Sequence, residues 1–175
     1  MAANANGVGA SVPRKEDDRF LRGRGRYIGD ISINETRELA FVRSPVAHAR
    51  LLGIQIPETV RSSVFTAEDL TGVKAIRAVS PLPGFKPSEQ TPLVTDKIRY
   101  VGELIAMCVA DTRAEAEDIA DQVTVDYQVL PAVVDMLDAQ LPDAPRVHDS
   151  WTDNIYMEIG YDGAVDSAAR EASVS

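Results

Sequence analysis

The clearest alternation of apolar and polar positions lies in the second half of the chain. Residues 104–110 form an unbroken apolar run, the pattern of a strand covered on both faces. Thr112 and Glu115 then stand at capping-box spacing, which predicts a helix start. Ala116, Ile119, Ala120 and Val123 follow at i, i+3, i+4 and i+7 and give that helix one apolar face. Val123, Val125 and Tyr127 alternate as a further strand. The helix face is expected to pack on the apolar run, with Ile105, Val109, Ile119, Ala120 and Val123 buried together and Cys108 inaccessible.

The first half is more broken. Residues 39–43 read as a strand ended by Ser44 and Pro45, because proline cannot continue a ladder. Leu52, Ile54 and Ile56 alternate with Gly53 and Gln55 as a half-buried strand that Pro57 ends. Thr66 and Asp69 frame a short helical turn stopped by Gly72, and residues 75–79 are another strand candidate. Residues 80–92 hold four prolines and Gly84, which predicts a long loop with Phe85 as a packed anchor. One helix among several strands predicts an α+β domain, a mixed sheet with a packed helix.

The flanks read differently. Residues 1–12 are small and polar, a flexible start. Residues 13–30 are charged and glycine-rich, an extended arm pinned at Tyr27 and Ile28. The domain proper is expected over 31–135. Residues 136–175 form a wrapping segment, rich in proline and aspartate, with a small helix over 164–172. The chain stops at Ser-Val-Ser, in what reads as the start of a strand, so a truncated or naturally split polypeptide is expected.

Charge and thiol content narrow the chemistry. The net charge is −9, which argues against nucleic acid as a partner, since phosphate contacts need a basic surface. Residues 14–26 hold six cations and three anions, a balance of +3 that leaves −12 on the remainder. That arm is either simply solvated, the favoured reading, or docks on an acidic surface or an anionic cofactor edge. One cysteine, Cys108, allows neither an internal disulfide nor an iron–sulfur cluster held by this chain's own thiolates, which takes about four. No run approaches the ~18 apolar residues of a membrane span, and the start lacks a secretory pattern. A cytoplasmic location is expected.

No candidate site survives inspection of the motifs. Gly23, Gly25 and Gly29 miss the dinucleotide fingerprint, whose third glycine would fall at Ile28 and which follows an apolar strand. His48 and His148 are the only histidines, too far apart in sequence for helical metal spacing, and read as hydrogen-bonded structural residues. Cys108 sits inside the apolar run and reads as packing. Glu103, entering that run after Gly102, is either a functional carboxylate or, the favoured reading, a turn or strand-edge residue held by backbone donors. Catalytic, cofactor-binding and metal-binding residues are therefore expected to be absent from this chain.

Six segments taken together resemble one family. They are PRKEDDR at 13–19 with LRGRGRYIGD at 21–30, FVRSPVAHAR at 41–50, VFTAEDLTG at 64–72, KIRYVGELIA at 97–106, AEAEDIA at 114–120 and VDYQVLPA at 125–132. In this order they are similar to the opening of the large subunits of molybdenum hydroxylases, the xanthine dehydrogenase and aldehyde oxidase family. Thr71 and Leu104 stand where that pattern has proline.

The resemblance implies an α/β hammerhead domain at the N-terminus of a molybdopterin-binding large subunit. It also implies an oxidoreductase acting on an aldehyde, an N-heterocycle, a purine or carbon monoxide. The molybdenum–molybdopterin cytosine dinucleotide would lie in later large-subunit domains, and 2Fe-2S clusters and FAD on partner subunits or domains. The partners implied are those remaining domains, an iron–sulfur subunit, and an FAD subunit or other electron acceptor. This chain would have a structural, channel-walling role and be inactive alone. The alternative is a free-standing hammerhead module that binds or assembles without a metal centre.

Overall fold

A computed structural model of the chain describes residues 14–31 and 33–160. The flexible start, the helix over 164–172 and the final Ser-Val-Ser lie outside the described residues. The chain divides into a unit up to Thr36 and a larger one from Arg37 onward.

In the first unit the arm folds locally where an extended run was expected. Helix α1 spans Asp17–Leu21. Gly23, at φ 65°, closes it: its N–H donates to Phe20 O at 3.0 Å, and Arg24 N donates to Arg19 O at 2.8 Å. That pair of bonds is the Schellman ending, which needs a left-handed residue and so favours glycine. Asp18 receives both Arg22 and Arg24, at 2.6 and 2.9 Å. Tyr27 does act as an anchor, stacked on Phe20 with ring centroids 6.0 Å apart. Ile28 does not; it is 89% exposed.

The second unit is the α+β domain. Strands β1 (Glu38–Arg43), β2 (Ala49–Gln55) and β3 (Val64–Phe65) come first. The pairs β4 (Ile76–Arg77) and β5 (Glu89–Gln90) form a ribbon at the base of the proline-rich loop. Then come β6 (Lys97–Ile98), β7 (Leu104–Ala110), helix α2 (Arg113–Asp121) and β8 (Thr124–Val129). One sheet has the order β1-β7-β3 and another β6-β2-β8.

Every ladder among the described residues is antiparallel, which corrects the expected mixed sheet. The strand–helix–strand run contributes no parallel pair: β7 and β8 flank α2 but pair in different sheets.

Helix α2 starts as its sequence predicts. Glu115 N donates to Thr112 Oγ1 at 3.2 Å, and Thr112 N donates to Glu115 Oε2 at 3.1 Å. The helix packs on β1 and β7 through small residues: Ala116 meets Ala40 and Ala110 in one buried cluster. A second cluster joins Val64, Ala106, Cys108 and Val123, with Ile119 and Ala120 packed against it.

Two expectations about strand faces need correction. Side chains alternate across a strand, so Ala106, Cys108 and Ala110 share the helix face of β7, and Ile105 points away. Ile105 is buried instead with Ala49, Val94 and Ile98, while Val109 is only partly buried. In β2, Leu51 pairs with Tyr127 and Gly53 with Asp126, so Leu52 is the extra residue of a bulge. Leu52 is 64% exposed, and Leu51 and Ile54 pack on the core in its place.

Candidate functional site

The titratable and nucleophilic residues singled out in the sequence fall at separate places, each with a structural task. Glu103 is nearly buried, and its carboxylate accepts the N–H of Arg99. Its carbonyl accepts Ser44 N at 2.9 Å, and Gly102, at φ 86°, donates to Ser44 O at 2.8 Å. Glu103 thus fastens the turn before β7 to the end of β1, as a backbone-held turn residue does.

His48 is buried at the head of β2. Its Nδ1 donates to Pro131 O at 2.6 Å, an oxygen that can only accept, and its carbonyl accepts Leu130 N at 2.9 Å. This ties the start of β2 to the exit of β8. The Nε2 is buried without a hydrogen-bond partner among the described residues. Cys108 is fully buried under α2, and burial pushes its thiol above the ordinary value. A thiol that is both inaccessible and hard to ionise is poorly suited to nucleophilic or ligand chemistry.

His148 lies against Trp151, ring centroids 4.4 Å apart, in the segment that follows the last 3-10 turn, Asp138–Gln140. Burial holds its imidazole below the ordinary value, helped by the nearby Arg99 and Lys97 cations. This is the one histidine in a densely charged setting. Lys97 lies in β6 yet is buried; its Nζ donates to Asp149 Oδ1 at 2.8 Å and to Arg146 O at 3.0 Å. Lys86 Nζ reaches Asp153 Oδ1 at 2.6 Å. Both lysine–aspartate pairs escaped the sequence reading. No local signal marks Lys97 as buried, since the residues after Ile98 are Arg99 and Tyr100; the partners are set only by the return of the chain.

The chain from residue 22 to residue 131 matches a family model described as "Aldehyde oxidase and xanthine dehydrogenase, a/b hammerhead domain". The chain belongs to this family. Among its relatives, the nicotine 6-hydroxylase large subunit of Paenarthrobacter nicotinovorans is 38% identical over 135 residues, covering 74% of this chain and 16% of the relative. The carbon monoxide dehydrogenase large chain of Afipia carboxidovorans is 32% identical over 158 residues, 88% of this chain and 19% of the relative. The crystal structure of quinoline 2-oxidoreductase from Pseudomonas putida 86 superposes with a TM-score of 0.76 at 36% identity, over 86% of this chain and 20% of that one. The hammerhead chain therefore spans a fifth or less of the length of these relatives.

Among the described residues no three of His, Cys, Asp and Glu are grouped to hold a metal ion. The glycines of the arm serve turns and ring packing: a Cβ on Gly25 would meet Phe20 at 3.1 Å and Tyr27 at 3.2 Å, and Gly23 closes α1. None of this forms a cradle of free backbone donors for a pyrophosphate. No helix among the described residues is long and apolar enough to cross a membrane.

Proposed function

We propose that this hammerhead domain is the N-terminal portion of the large subunit of a molybdenum-dependent hydroxylase or dehydrogenase. Its substrate would belong to the class of aldehydes, N-heterocycles, purines or carbon monoxide. The role of the domain is structural: it packs against the remaining large-subunit domains and helps wall the substrate passage. The observation that carries this reading is the match of most of the chain to the hammerhead family model and to a fifth or less of relatives more than four times its length.

The catalytic residues and the molybdenum–molybdopterin cytosine dinucleotide belong to those other domains, and 2Fe-2S clusters and FAD to partner subunits or domains. The exposed apolar residues Val129, Val134, Met136, Leu137 and Leu141 support the packing role, since single soluble domains seldom leave such a run uncovered. A buried free thiol fits a reducing compartment, and a cytoplasmic location is part of the reading.

The test is to purify the 175-residue chain anaerobically from a host that makes the pterin cofactor, and to measure metal content, visible absorbance and dye reduction with aldehydes and purines. The expected result is neither molybdenum nor turnover, together with a one-to-one complex when a polypeptide carrying the remaining large-subunit domains is added. Stoichiometric molybdenum in the chain alone, or no complex, would overturn the proposal.

A further inference from the structure

Residues 145–156 join no ladder among the described residues, yet they are firmly seated. Asn154 organises the segment from within: its Oδ1 accepts Val147 N at 3.0 Å, and its Nδ2 donates to Pro145 O at 3.0 Å. The hydrogen bonds to the sheets and to the loop between β4 and β5 come from two lysines, Lys97 in β6 and Lys86 in that loop. They are the Lys97 bonds to Asp149 and Arg146 O, the Lys86–Asp153 pair, and the backbone bond from Lys86 N to Tyr156 O at 2.7 Å. Phe85 meets Tyr156 edge-on at 6.3 Å, and Trp151 covers His148.

His148 stands where this seating is most sensitive to charge. Lys97 and Arg99 act on it from β6 and the residues after it, and Asp149 is its chain neighbour. Arg77, Glu89 and Asp96 line the cleft on one side of the His148–Trp151 pair, and Lys86 lines the cleft on the other. The carboxylates facing it are already engaged: Asp149 by Lys97, Glu89 by Arg77 at 3.3 Å, and Asp96 by Arg99 at 3.8 Å. A proton on the imidazole would add a further cation beside Lys97 and Arg99 with no free anion to answer it.

We propose that residues 145–156 form a releasable strap, seated while His148 is neutral and freed when it takes up a proton, with the two sheets remaining folded. The sign follows from linkage. The seated strap holds His148 below 6.5, whereas the released strap binds the proton at the ordinary value. Seating is complete above 6.5 and weakens as the pH falls through that value, until the seated histidine also protonates. Asp149 and Asp153 are both held below 3.8, first by the hydrogen bonds from Lys97 and Lys86 respectively, so their loss belongs to a lower and separate window.

Trp151 is the only tryptophan and reports on the strap directly. The experiment uses the full 175-residue chain, titrated from above 6.5 to just above 3.8, reading iodide quenching of Trp151, amide exchange corrected for intrinsic rates, and far-ultraviolet dichroism. The proposal expects quenching to rise and protection over 145–156 to fall on the order of tenfold for each unit by which seating lowers the histidine. Protection over 104–129 and the dichroism should stay constant. His148→Gln, neutral at every pH, should keep the strap seated throughout. An unchanged transition in H148Q, no transition in the native chain, or joint loss of protection in strap and sheets would each overturn it. The native-chain exchange data decide the matter even if H148Q folds poorly.

Discussion

Ile105 and Val109 lie on the same face of β7 by strand parity, yet the domain should respond very differently to their truncation. Ile105 is fully buried among Ala49, Val94 and Ile98, whereas Val109 lies farther along the strand and is only partly covered. Ile105→Ala removes about three carbons, worth ~0.8 kcal/mol each in transfer from water, or about 2.4 kcal/mol. The cavity left behind adds to this, because the fully enclosed site can collapse only partly, and the total should reach about 3–4 kcal/mol. Val109→Ala removes about two carbons that water already reaches, and should cost under about 1 kcal/mol. Urea unfolding followed by far-ultraviolet dichroism gives both values from shifts of the midpoint at constant slope. A domain of ordinary stability, about 5–15 kcal/mol, would survive both changes. Equal losses, or a larger one at Val109, would show that the assignment of core and rim along β7 is mistaken.

Other perturbations test other parts of the fold. Cys108 should react with a thiol reagent only at the rate of unfolding, and burst labelling of the native chain would contradict its burial under α2. Thr112→Ala should destabilise by about 1 kcal/mol through loss of the cap to Glu115 N, measured by thermal unfolding; Thr112→Ser should restore most of it. Asp69 is held below 3.8, first by the Thr66 N–H and then by Arg61. Its contribution is therefore complete above that value and lost as the pH falls through the lowered one, so Asp69→Asn should flatten this part of the acid denaturation curve, and an unaltered curve would refute the assignment.

What could be read from the sequence was local or periodic. The cap of α2 was legible because both partners of the box lie within four residues. The turn at Ala67–Asp69 was legible for the same reason: Asp69 Oδ2 accepts Thr66 N at 2.8 Å. The apolar run 104–110 was readable as a strand, but a strand with apolar residues on both faces does not disclose which face meets the helix. Ile105 and Val109 were expected to meet the helix, whereas the residues that share its side of β7 are the small Ala106, Cys108 and Ala110, which let it approach. The Leu52 bulge was hidden because Leu52, Ile54 and Ile56 alternate faultlessly; only pairing with β8 shows that a residue has been inserted. Family membership was legible because six segments in order do not depend on three-dimensional pairing. The buried Lys97 was not, because its two acceptors come from a segment about fifty residues later.

These details bear on the structural role proposed for the domain. Its three apolar clusters are not separate cores. Val42 and Ile54 pack against both the Ile105 and the Cys108 cluster, and Ile119 and Ala120 pack against both the Cys108 and the Ala116 cluster. Apolar packing therefore runs continuously from the β6-β2-β8 sheet through β7 to α2, and the buried polar groups Glu103 and His48 stitch its turns with backbone hydrogen bonds. The exposed side chains Val134 and Met136, at 91% and 81%, lie after β8 and beyond this network. Covering them would contribute to association rather than to folding, since fully burying a side chain of this size is worth about 1.5–3 kcal/mol. That separation supports the division of labour proposed for the large subunit, in which the internal core would supply a rigid partition and the apolar residues outside it affinity for the domains proposed to carry the reaction.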